Sequence, residues 1–92
     1  MPSAPINEHI VECFWPGLCE DDVATVDRRA IAAAAELAAG GEDVAYIGSL
    51  MMRDDEVLLC RFSGSPETVR RAAERAGIPF ERILGASSSS LG

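Results

Sequence analysis

The chain has 92 residues, 15 acidic side chains against 8 basic ones, and a formal net charge of −7. That is the length of a single domain, and 48% hydrophobic with 25% charged residues excludes wholesale disorder. The acidic balance excludes a phosphate-tracking surface, so no nucleic-acid partner is expected; all eight basic residues are arginine, which excludes a lysine Schiff base and a P-loop lysine.

The first predicted element is a strand over residues 7–15, Asn-Glu-His-Ile-Val-Glu-Cys-Phe-Trp, where polar and apolar types alternate and β-branched and aromatic side chains are frequent. Pro16-Gly17 ends it. Glu20-Asp21-Asp22 then places three carboxylates at the positive end of a helix. Val23, Val26, Ala30, Ala33 and Leu37 follow at helical spacing as one apolar stripe, and Gly40-Gly41 supplies the stop. Residues 43–52 and 56–63 read as a hairpin around Arg53-Asp54-Asp55. Ser65-Pro66-Glu67 starts a second helix with an N-cap serine and a proline at its first position. Val69, Ala72, Ala73 and Ala76 form its apolar face, and Gly77 with Pro79 ends it. A fourth strand is expected over 80–86.

The order β-α-β-β-α-β predicts an α+β, ferredoxin-like domain: a four-stranded antiparallel sheet with both helices on one face. The expected limits are a flexible N-terminus over 1–6, one domain over 7–86 and a disordered serine-rich tail over 87–92. The chain's start carries no basic and apolar signal pattern, no apolar run approaches the roughly 20 residues that span a bilayer, and Cys13, Cys19 and Cys60 are odd in number without C-x-x-C spacing. Reduced thiols in a cytoplasmic protein, away from membranes, are the expectation.

Strand parity places Leu58, Cys60 and Phe62 under the helices and Val57, Leu59 and Arg61 on the opposite face. In the first strand, Val11, Cys13 and Trp15, with His9, share the helix side, while Glu8, Ile10, Glu12 and Phe14 face away. In the second, Tyr46 and Leu50 are expected together, opposite Ile47 and Met51. The face without helices is thus partly apolar, and leaving each large side chain wet forgoes about 1.5–3 kcal/mol. A second copy packed sheet to sheet is the expected cover, giving a homodimer. Glu12, Tyr46, Arg61 and Phe14 would then line a central cleft for a small organic ligand. Glu12 and Arg61 are expected to pair, either as a register-fixing ion pair or as ligand contacts.

His9, the only histidine, is the sole imidazole for a catalytic triad or a metal. With Cys13 it is the best metal candidate the chain offers, but one imidazole is thin provision for nickel, so no cofactor is predicted. The acidic runs Glu20-Asp21-Asp22 and Asp54-Asp55-Glu56 lack calcium-loop spacing.

Val11-Glu12-Cys13-Phe14-Trp15-Pro16-Gly17-Leu18 before an acid-rich helix start resembles the domain of unknown function 4242, or nickel-binding-protein-like, family. The likeness continues through Ala32–Ala39, Tyr46-Ile47-Gly48-Ser49, residues 55–62 and residues 72–83, and spans roughly residues 8–84. It implies a ferredoxin-like domain assembled as a dimer, akin to dimeric α/β barrels. The family name comes from members whose first strand ends in a histidine pair suited to nickel; here Glu12-Cys13-Phe14-Trp15 stands in that stretch. The leading expectation is a non-catalytic ligand-binding or accessory module. Nickel or another divalent metal is the first alternative. The second, by fold analogy alone, is a cofactor-free cyclase, isomerase or oxygenase using Glu12 or His9 as its acid–base group.

Overall fold

Alternating side chains make Ile6–Phe14 strand β1, and Pro16-Gly17 turns the chain into helix α1, Glu20–Ala39. The hairpin follows as β2, Val44–Met52, and β3, Val57–Gly64, then helix α2, Pro66–Arg75, and strand β4, Arg82–Ser88. The structure is a computed structural model that describes residues 6–88, with side chains from Glu8 to Gly85. The expected flexible stretch before Ile6 and the tail beyond Ser88 lie outside the described residues.

Both helices start on local chemistry. Asp22 reaches back to accept the Cys19 N–H (3.1 Å) and its thiol (3.2 Å) at the head of α1. The Ser65 hydroxyl accepts the Thr68 N–H at 3.2 Å and caps α2. Gly77, at φ 71°, holds the left-handed turn that ends α2.

The fold is α+β: a four-stranded antiparallel sheet in the order β2-β3-β1-β4, with two helices. One core joins them. Val11, Cys13, Leu58, Cys60 and Phe62 are fully buried from the sheet, beneath Val26, Ala30 and Ala33 of α1 and Val69, Ala72 and Ala73 of α2. The alanines let the helices approach the sheet closely, and the larger residues of β1 and β3 fill the space between.

Two details differ from the expected pattern. β4 begins and ends about two residues later than expected, so Ser87 and Ser88 pair with Asn7 and Ile6 instead of opening a tail. β2 carries an irregularity between Tyr46 and Gly48: Tyr46 pairs with Phe62 while Gly48 pairs with Arg61. The extra residue, Ile47, shifts the alternation that follows. Tyr46, Ser49 and Met51 therefore lie opposite the buried Phe62, Cys60 and Leu58, whereas Leu50 and Met52 lie opposite Leu59 and Val57 on the other face.

Candidate functional site

The helix-free face of the sheet is built in rungs. Met52, Val57 and Phe14 form one; Leu50, Leu59, Glu12 and Arg82 the next; Gly48, Arg61, Ile10 and Leu84 the third. The end of the face nearest the β2–β3 turn is apolar. Phe14 is 54% exposed there, Leu50 57% and Met52 40%. These large apolar side chains flank β3, whose Val57 and Leu59 lie between them, and make a continuous patch, which soluble monomers seldom carry.

The rest of the face, toward β4 and the opposite end, is charged and internally paired. Arg61 donates to both oxygens of Glu8, from Nε at 3.2 Å and Nη2 at 2.8 Å, and Glu8 itself is almost wholly covered. Arg82 donates from Nε to Glu12 at 2.6 Å, directly across the β1–β4 ladder. Each carboxylate raises its arginine's pKa above the ordinary value, so both guanidinium groups stay charged. The expected Glu12–Arg61 pair does not form. The register sets Arg61 opposite Ile10, within diagonal reach of Glu8, and gives Glu12 a direct neighbour in Arg82.

Of the four ligand candidates, Glu12, Phe14 and Arg61 share this face. Tyr46 does not. The β2 irregularity turns it to the helix side, where its ring packs at 4.9 Å from Phe62 and its hydroxyl donates to the Asp27 carboxylate of α1. Burial, then this hydrogen bond, pushes the Tyr46 hydroxyl well above its ordinary pKa. Ser49 donates to the same Asp27 oxygen at 2.8 Å. Asp27 thus clamps α1 to both sides of the irregular stretch. Replacing Asp27 with alanine removes the shared acceptor of two part-buried hydroxyls, at a cost of roughly 1–3 kcal/mol. A fall in melting temperature on the order of 10 °C is expected by circular dichroism; an unchanged melting temperature would show that the clamp contributes nothing.

The metal and acid–base candidates stand on the helix side or apart. His9 lies between Phe62 and Gly85 across the ladders. Its Nδ1 is buried without a hydrogen-bond partner among the described residues. Cys13 and Cys60 are fully buried, and their thiols interact: hydrogen bonding lowers the pKa of Cys13 and raises that of Cys60, with burial adding to the latter. Glu12 and His9, three residues apart in β1, point to opposite faces. Among the described residues no three His, Cys, Asp or Glu side chains gather as a metal site, and no helix is long and apolar enough to cross a membrane.

Asp27 and Arg82 escaped the sequence reading, as did the pairing of Glu8 with Arg61. Gly48 inside an apolar strand pattern was the available signal for the irregularity that recruits Asp27.

The fold and this face define a small α+β domain with one amphipathic sheet surface left open by its own helices. The family model described as "Nickel responsive protein SCO4226-like" matches residues 9–85, nearly the whole described chain, and the chain belongs to that family. No curated protein and no solved structure matches it significantly.

Proposed function

We propose that the protein works as a homodimer in the manner of ferredoxin-like dimeric barrels, closing its two helix-free sheet faces around a cavity that holds a small organic ligand, without catalysis of its own. The observation that carries this reading is the exposed Phe14–Leu50–Met52 patch set beside two ion-paired arginines. Four strands about 4.8 Å apart and about seven residues long give a face of roughly 19 by 23 Å, about 440 Å² in projection, a little over half of the ~800 Å² per partner of a standard interface before side-chain relief is counted. The patch is apolar enough to drive association, and its paired charges are neutral as a set. Such a surface suits a copy of itself better than a charged partner.

A cavity between apolar rungs and guanidinium groups favours ligands with an apolar body and a carboxylate. A panel of aromatic and aliphatic carboxylic acids, alcohols and amines, screened by thermal shift, tests this. At a hundredfold excess over Kd, a true ligand adds about 2.7 kcal/mol, a rise on the order of 10 °C. At least one acid is expected to produce a saturable rise that Arg82→Ala diminishes; no rise from any compound would overturn the ligand reading.

A further inference from the structure

We infer that this chain does not bind nickel, despite belonging to a family described as nickel-responsive, because its fold divides the suitable donors between two faces of the sheet and engages those on the open one. Every His, Cys, Asp and Glu of the chain lies between Glu8 and Glu81, within the residues whose side chains are described. Nickel favours imidazole nitrogen with nitrogen and oxygen co-ligands in a regular arrangement.

The one imidazole, His9, is on the helix side of β1. Its unpartnered Nδ1 is the single feature that invites a cation, yet that atom is sealed from solvent. Asp43 and Glu67 line separate hollows on either side of Pro66 beside the His9 ring, and neither completes a three-donor set with it. Cys13 and Cys60 are both fully buried in the core. The acids near α1 have partners of their own: Glu20 with Arg53, Asp22 with Cys19, and Glu56 with the Gly17 N–H.

Pairing two copies, which rests on the dimer proposed above, does not repair this. The open face adds only Glu8 and Glu12 from each chain, and both carboxylates are held by arginine. A divalent cation there would sit beside guanidinium cations and find oxygen donors alone.

Isothermal titration of nickel chloride into tag-free, chelator-treated protein tests the inference, alongside thermal melts with and without nickel. The expected result is no heat beyond dilution for any Kd tighter than about 100 μM, and superimposable melts. Saturable heat at one ion per chain or per pair of chains, or a nickel-dependent rise in melting temperature, would overturn it. Light scattering on the same samples reports the mass separately, so failure of the dimer reading is distinguishable from failure of this one.

Discussion

Replacing Leu50 with aspartate is expected to leave a folded single chain in place of the proposed pair. Leu50 sits on the open face, 57% exposed, and stands opposite Leu59. The substitution therefore removes little from the domain's own core. In a face-to-face pair, by contrast, the same position, on the edge strand β2, belongs to the apolar end, and two-fold symmetry introduces the charge twice. Burying a carboxylate without a partner costs about 3–5 kcal/mol, and the nearest guanidinium, Arg61, diagonal to position 50 on β3, is already engaged by Glu8. Even one such cost weakens association by roughly a hundredfold or more. Light scattering should report one chain's mass with native far-ultraviolet dichroism. A two-chain mass that persists through dilution would show that this rung lies outside any interface.

The second large effect is internal. Phe62 is fully buried in the central strand β3, against Tyr46 and within the core that the sheet shares with both helices. Phe62→Ala removes the largest wholly buried side chain and leaves a cavity that surrounding alanines cannot fill, at about 3–5 kcal/mol. A domain of this size has a total stability on the order of 5–14 kcal/mol. The variant should unfold at much lower urea concentration with an unchanged slope. A midpoint within error of the unaltered protein would contradict the placement of the core.

Helix boundaries were readable because their signals are local. Ser65-Pro66 begins α2 and Gly77 ends it through backbone chemistry that involves no distant residue. The burial of Leu58, Cys60 and Phe62 was equally accessible, since a regular strand alternates with period two. β2 was misread at the point where that period fails. One extra residue at Ile47 moved Tyr46 away from the open face and brought Leu50 to it without Tyr46. The ion pairs were misassigned for a different reason. Which arginine meets Glu12 depends on the offset between strands 70 residues apart in sequence, and apolar patterning leaves that offset open. Fold was therefore more legible than site: the first is written in local periodicity, the second in register.

The most direct test is the molar mass of the unaltered, untagged protein by light scattering at micromolar concentration. Two chains' mass, falling to one in Leu50→Asp, is the predicted outcome. A single chain's mass across that range would mean that Phe14, Leu50 and Met52 stay in water, and the enclosed cavity would have no second wall.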